Sequence, residues 1–161
     1  MKQDDPNKCT SAKLIRFNKA KPIYYQSQIR NKMIVLNPYS REVLTKKDRK
    51  SIHDYGIVAI DCSWNKAEEI LRKRFKGINR KLPILLAANP INYGRIGQLS
   101  SIEALASALY ISGFEDQANE ILSLFKWGGS FMTLNKFPLV EYQSAVSNEE
   151  VLKIEKEFFK A

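Results

Sequence analysis

Asp61 stands at the end of a solid apolar block, and Ser63 and Trp64 follow it at the opening of a charged helical pattern. The block, Gly56-Ile57-Val58-Ala59-Ile60, is short and flanked by polar residues, the pattern of a strand buried on both faces of a parallel sheet. In such sheets ligands sit in the crevice beyond the carboxyl ends of the strands. A carboxylate and an indole there could act on a bound small molecule, the acid as proton acceptor or electrostatic partner and the ring as a stacking wall. The plainer roles are a helix cap for Asp61 and a core aromatic for Trp64. Ser63 caps equally well, so the capping role does not require Asp61. A second segment, Leu82-Pro83-Ile84-Leu85-Leu86-Ala87-Ala88-Asn89, repeats the arrangement of apolar strand and polar end, with Pro90 and Gly94 in the loop beyond.

Other chemistries find little support. There is no G-x-x-x-x-G-K-[ST] loop and no G-x-G-x-x-G after a strand, and Gly94-Arg95-Ile96-Gly97 alone is a weak signal. His53 is the single histidine and sits in a polar helical stretch with no acid or cysteine at ligand spacing, so it reads as a surface residue. Cys9 and Cys62 are too few for a disulfide scaffold or a cysteine-only zinc site and read as two separate thiols. No metal is expected.

The elements that would position these residues alternate. Thr10–Phe17 reads as a short helix and Met33–Leu36 as a strand ended by Asn37-Pro38. Thr45-Lys46-Lys47-Asp48 has the capping-box form and opens a helix that stops before Gly56. A strand at 57–60, a helix at 64–75 and a strand at 84–88 follow, which makes βαβ crossovers and a parallel sheet. Beyond Asn89 the pattern turns helical: a capping box at Ser100–Glu103 leads to Ile111 before Gly113, then Phe114–Trp127, with shorter helices at 131–134, 139–142 and 151–159. The expected class is α/β, with an N-terminal parallel sheet, flanking helices and an all-helical C-terminal half. The expected division is an α/β unit over 1–82 bearing a basic face and a mainly helical unit over 83–161 that completes the pocket.

The 161 residues are enough for a real core, and a hydrophobic share of 44% supports a folded globule. No apolar stretch approaches the roughly 20 residues of a membrane span, and Met1–Asp5 has no apolar core of a signal peptide. A cytoplasmic protein is the expectation. Charge is uneven: residues 1–82 carry 20 Lys/Arg against 8 Asp/Glu, and residues 83–161 carry 6 against 9, nets of +12 and −3 within the total of +9. An excess gathered in one half favours a directed positive face and a polyanionic partner such as RNA.

Six separated segments in order carry a resemblance over nearly the whole chain. They are Asp5-Pro-x-Lys8-Cys9-Thr10-x-x-Lys13-Leu14, Leu36-x-Pro38, Asp61-Cys62-Ser63-Trp64, Leu85-x-Ala-Ala-Asn89-Pro-x-Asn92-Tyr93-Gly94-Arg95, Leu99-Ser100-x-x-Glu103-Ala104-Leu105-Ala106 and Phe125-Lys126-Trp127-Gly128. Together they resemble the ribosomal RNA aminocarboxypropyltransferases of ribosome biogenesis. The resemblance implies a SPOUT-like fold with a trefoil knot, and S-adenosylmethionine as co-substrate. It implies transfer of the 3-amino-3-carboxypropyl group to nitrogen 3 of an (N1-methyl)pseudouridine in small-subunit ribosomal RNA, with methylthioadenosine released. The partner would be that RNA or a pre-ribosomal particle, and the enzyme a monomer.

Carried onto this sequence, the resemblance gives Thr10 and the amide of Ser101 the co-substrate carboxylate. It gives the backbone at Ile60 the ribose and that at Leu82 and Gly97 the adenine edge. Leu36, Pro38, Trp64, Leu99 and Ala104 become apolar walls, with Trp64 and Ala67 around the S-methyl group. Asp61 is the candidate general base. RNA contacts fall to Lys8, Lys13, Arg16, Arg30, Lys32, Arg72, Lys73, Arg74, Arg80, Lys81 and Arg95. The rivals are a SPOUT-type RNA methyltransferase with the same co-substrate and a non-catalytic RNA-binding assembly factor. At 96–98 the chain reads Ile-Gly-Gln, where the family usually has Pro after the Gly-Arg.

Overall fold

A computed structural model describes residues 10–62 and 64–160. Three short parallel strands form its sheet: β1 (Ile34–Leu36) in the centre, β2 (Ile57–Ala59) on one side and β3 (Ile78–Arg80) on the other. The register pairs Val35 with Val58 and with Asn79. Side chains alternate across the sheet as the pleat requires. Ile34 and Leu36 point into the large core, with Ile57 and Ile78 packed against it, while Val35 and Val58 join Ile29 in a smaller cluster on the other face. Apolar residues on both faces are what a parallel sheet demands.

Helices supply the rest. α1 (Thr10–Arg16), α2 (Arg49–Tyr55) and α3 (Trp64–Leu71) accompany the strands. α4 (Ser101–Ile111), α5 (Glu115–Leu122), α6 (Gly128–Leu134), α7 (Lys136–Ser144) and α8 (Asn148–Phe158) follow β3. Both predicted capping boxes are present: the Thr45 hydroxyl accepts from the Lys47 amide while the Thr45 amide donates to the Asp48 carboxylate, and Ser100 exchanges bonds with Glu103. The large core runs without a break from Leu14 through Ile34 and Leu85 to Ile111, Tyr142 and Val151.

The structure corrects the sequence reading of the third strand. It lies at 78–80, where only Ile78 of the three residues is apolar. Gly77 makes this strand possible: its φ is +100°, and a Cβ there would stand 2.8 Å from the Met33 carbonyl oxygen. The expected strand 84–88 is not part of the sheet. This apolar segment runs extended among the helices, and side chains satisfy much of its backbone. Asn135 bonds both the amide (2.8 Å) and the carbonyl (2.9 Å) of Leu86, as a neighbouring strand would. Glu155 accepts from the Ile84 amide, Tyr142 donates to the Ile84 carbonyl, and Glu103 accepts from the Ala88 amide. Buried backbone groups must be paired, but the partner need not be a strand.

Two expected helices are also shorter. α3 ends at Leu71 rather than near residue 75, because the chain turns to bring Phe75 under the sheet into the smaller cluster. The expected helix 114–127 ends at Leu122. The Leu124 carbonyl is taken by the Lys13 ammonium from α1 instead of by an amide one turn on.

Candidate functional site

The strand order β2-β1-β3 places the direction change of the chain at the central strand, so the crevice opens beyond its carboxyl end. Five of the expected site positions fall at or just beyond strand ends there. Leu36 closes β1 and Pro38 stands exposed two residues on; Ile60 and Asp61 follow β2; Leu82 lies just past β3. Asn37, which the sequence reading passed over, is buried in their midst. Its side chain accepts from the Tyr39 amide at 3.0 Å and donates to the Asn79 side chain at 3.3 Å, while its amide donates to the Arg80 carbonyl. The ends of β1 and β3 are thereby fixed to each other.

Two helix starts face Asp61. Ser11, in the first turn of α1, donates to one Asp61 oxygen at 2.5 Å, and Ser101, the first residue of α4, donates to the other at 3.3 Å. Thr10, nearly buried, accepts from the Ile102 amide at 3.3 Å and ties the two first turns together. The helix starts suit a negative charge between them, because their first amides are unpaired within the helix. Ser11 carries no sequence signal: it lies fifty positions from Asp61 and only the approach of α1 to α4 brings them together. Beside Asp61, burial and then the Asp61 charge push the Cys62 thiol up, which keeps it protonated. Cys9 lies outside the described residues.

Glu103 braces this region. It is fully buried, and its two oxygens accept from the Ala88 amide (2.7 Å), the Asn89 side chain (2.6 Å) and the Ser100 amide and hydroxyl (both 2.9 Å). One carboxylate thus joins the second strand-like segment, the loop after it and the start of α4. Sequence reading saw Glu103 only as half of a capping box.

The remaining expected wall residues are distributed as follows. Leu99 is buried in the large core, and Ala104 and Leu82 pack against it. Ala67 is buried on α3, whose first residue is Trp64; the Trp64 side chain lies outside the described part of the structure. Ile60 packs against the smaller cluster, and Gly97 is exposed. His53 is at the surface, 2.9 Å from Asp54.

Of the basic residues, Lys8 lies outside the described residues. Arg16, Arg30, Lys32, Arg72, Lys73, Arg74 and Arg95 are exposed, and Lys81 is half-buried. Some are engaged within the protein. Arg80 is half-buried and places Nε 3.3 Å from both oxygens of Asp48. Lys13, besides its bond to Leu124, lies 4.7 Å from the centre of the Phe125 ring. Arg72 pairs with Glu68 and covers Tyr39. Among the described residues, no three of His, Cys, Asp and Glu are grouped to hold a metal ion, and no helix is long and apolar enough to cross a membrane.

Residues 34–159 match the family described as ribosome biogenesis protein, C-terminal. The chain belongs to this family. A 16S rRNA aminocarboxypropyltransferase of Thermoplasma volcanium is 46% identical over 159 residues, covering 99% of this chain and 94% of its own. One of Methanocaldococcus jannaschii is 40% identical, covering 98% and 92%. Among solved structures, the SAM-dependent rRNA:acp-transferase Tsr3 from Vulcanisaeta distributa superposes with a TM-score of 0.86 at 40% identity, over 98% of this chain and 88% of that one. The two folds therefore agree over nearly the full length of this chain.

Proposed function

We propose that this chain transfers the 3-amino-3-carboxypropyl group of S-adenosylmethionine to nitrogen 3 of an (N1-methyl)pseudouridine in small-subunit ribosomal RNA, releasing methylthioadenosine. The observation that carries the reading is the meeting of two helix starts on Asp61 at the ends of the sheet, in a chain related along its whole length to enzymes of that name. The residues suit the co-substrate. An amino-acid carboxylate needs amide and hydroxyl donors, which Thr10 and Ser101 offer at the starts of α1 and α4. An adenosine needs apolar walls with backbone acceptors at its edges, which Leu36, Pro38, Leu99 and Ala104, with the backbone at Ile60, Leu82 and Gly97, can supply.

S-adenosylmethionine, when bound, brings a sulfonium with three carbons open to displacement. The protein selects among them by position. Trp64 and Ala67, three residues apart on α3, enclose the methyl group and leave the propyl carbon toward the RNA. Asp61 accepts the proton of the ring nitrogen, or else orients the base and offsets the sulfonium charge; Ser11 and Ser101 hold its two oxygens in place for either task. Residues 1–82 offer the basic face to RNA, and residues 83–161 complete the pocket. A SPOUT-like knotted path and a monomeric state belong to the same proposal.

The test is incubation with S-adenosylmethionine labelled in its carboxyl carbon and, separately, in its methyl carbon, together with unmodified small-subunit RNA. Carboxyl label on the RNA with methyl label in a released nucleoside is expected. Methyl label on the RNA would make the protein a methyltransferase, and label on neither would leave an RNA-binding factor. Asp61→Asn separates the roles: turnover falling by about 10²–10⁴ at unchanged co-substrate affinity supports proton transfer. Unchanged turnover would remove Asp61 from the chemistry.

A further inference from the structure

The loop between Asn89 and Gly97 exposes large side chains that no packing explains. Ile91 is 60% exposed, Tyr93 67% and Ile96 61%, with exposed Arg95 among them. Exposed apolar residues scattered singly mean little, but three within six positions form a patch. A patch on a mobile loop would be unremarkable. This loop is held from both sides.

The Ala87 amide donates to the Arg95 carbonyl at 3.0 Å, and the Gly94 amide donates back to the Ala87 carbonyl at 2.7 Å. The Gly97 amide reaches the Leu85 carbonyl at 2.9 Å, and the Arg95 amide that of Asn92 at 2.9 Å. Gly94, at φ +78°, makes the reversal that lets Ala87 be bonded twice. Inside the turn, the buried Asn89 side chain accepts from the Asn92 amide and donates to Glu103. The same Glu103 fixes Ser100, which caps the helix whose first residue holds Asp61. The exposed ring of Tyr93 is therefore carried on a braced frame shared with the candidate site. From Tyr93 to Ser101 the chain has eight steps, so the two Cα atoms are at most about 28 Å apart even if fully extended, and the loop folds back.

We propose that Tyr93, flanked by Ile91, Arg95 and Ile96, is a stacking platform for a nucleobase of the single-stranded RNA segment that carries the acceptor. This rests on the function proposed above and names how its RNA is held. An exposed aromatic on a pre-ordered loop binds a base face with little ordering cost. The adjoining guanidinium suits a phosphate or a second base face. A protein partner would need a wider apolar surface than three side chains interrupted by an arginine. The unpaired base of a loop presents a free π-face, so this platform serves a hairpin loop better than a duplex. Tyr93 is a positioning residue: it holds the RNA and takes no part in the group transfer.

The test uses the full chain and a fluorescently labelled hairpin with the small-subunit acceptor loop. Anisotropy gives RNA affinity, calorimetry gives S-adenosylmethionine affinity, and label transfer gives KM for RNA and kcat. Tyr93→Ala is expected to weaken RNA binding and raise KM by about 5- to 150-fold, the range for losing one stacked base. Co-substrate affinity and kcat at saturating RNA stay within about twofold, and Tyr93→Phe restores wild-type KM, since the ring and not the hydroxyl stacks. Tyr93→Ala binding the hairpin as tightly as wild type would overturn the platform. So would Tyr93→Phe behaving like Tyr93→Ala. Absence of transfer by the wild type would count against the proposed reaction instead, with the anisotropy result still deciding the platform.

Discussion

Replacing Glu103 should reveal how much of the site one carboxylate holds. Glu103→Ala removes the acceptor of four hydrogen bonds. Two of the donors, the Ala88 amide and the Asn89 side chain, are buried, and each left unpaired costs about 1–3 kcal/mol. The Ser100 donors are half-buried, can turn to water and add little. Loss of the charge also removes its own desolvation cost, which offsets part of the damage. A net destabilisation of about 2–5 kcal/mol remains, against a total of about 5–15 for a domain of this kind. Glu103→Gln should fall between. Its carbonyl oxygen can still serve Asn89 and Ser100, but its amide nitrogen meets the Ala88 amide donor to donor, at a cost of about 1–3 kcal/mol. Urea unfolding monitored by tryptophan fluorescence gives the order wild type, Gln, Ala in falling midpoint at unchanged slope. Co-substrate affinity of the Gln variant should drop as the start of α4 loosens. Glu103→Ala unfolding within about 0.5 kcal/mol of wild type would refute the bracing role, and equal losses for Gln and Ala would refute the assignment of individual oxygens.

Three further expectations follow from buried or charged groups. Asn135→Leu removes the side chain that bonds both backbone groups of Leu86; unfolding free energy should fall by about 2–4 kcal/mol, more than for any exposed asparagine. Tyr142 is fully buried and donates to the Ile84 carbonyl, and burial, then Glu155, hold its hydroxyl well above the ordinary tyrosine range. The folded state therefore keeps a proton that the unfolded chain loses above about pH 10, so this contribution is full below that pH and is lost as pH rises, at up to about 1.4 kcal/mol per pH unit. The stability gap between wild type and Tyr142→Phe should narrow from pH 9 to pH 11; a constant gap would count against it. Finally, Arg74→Ala should weaken RNA binding and flatten its log–log salt slope by about 0.7 with no loss of stability. Arg80→Ala should instead cost about 2–3 kcal/mol, because it leaves nearly buried Asp48 without its guanidinium. RNA affinity unaffected by Arg74→Ala would place the phosphate contacts elsewhere.

Legibility in the sequence followed the range of the forces involved. Both capping boxes, the ends of α1, α2 and α4, and the strands of Ile34 and Ile57 depend on neighbours within a few residues, and pattern alone revealed them. Asp61 could be placed at a strand end because the apolar block before it can be read in isolation. The third strand could not. Ile78-Asn79-Arg80 carries almost no apolar signal, whereas Leu85–Ala88 carries a strong one and yet lies among helices. Apolarity reports burial, but it does not say whether the burying neighbour is a strand or the side chain of Asn135, a distant residue in the turn between α6 and α7. Likewise the ends of α3 and α5 were set by Phe75 and by Lys13 reaching the Leu124 carbonyl, contacts whose partners lie far along the chain.

The candidate site divides in the same way. Residue types and order alone determined that a carboxylate follows an apolar strand, that positive charge gathers in the first half and that a run of spaced segments resembles one enzyme family. Only the tertiary structure decided that Ser11 and Ser101 close on Asp61, that Asn37 ties β1 to β3 and that Glu103 braces a loop and a helix at once. It also withdrew Arg80 from the free charges and set Tyr93 on a rigid frame. Hydrogen bonds and ion pairs act over about 3–4 Å in space, and chain order fixes no such distance between residues fifty positions apart.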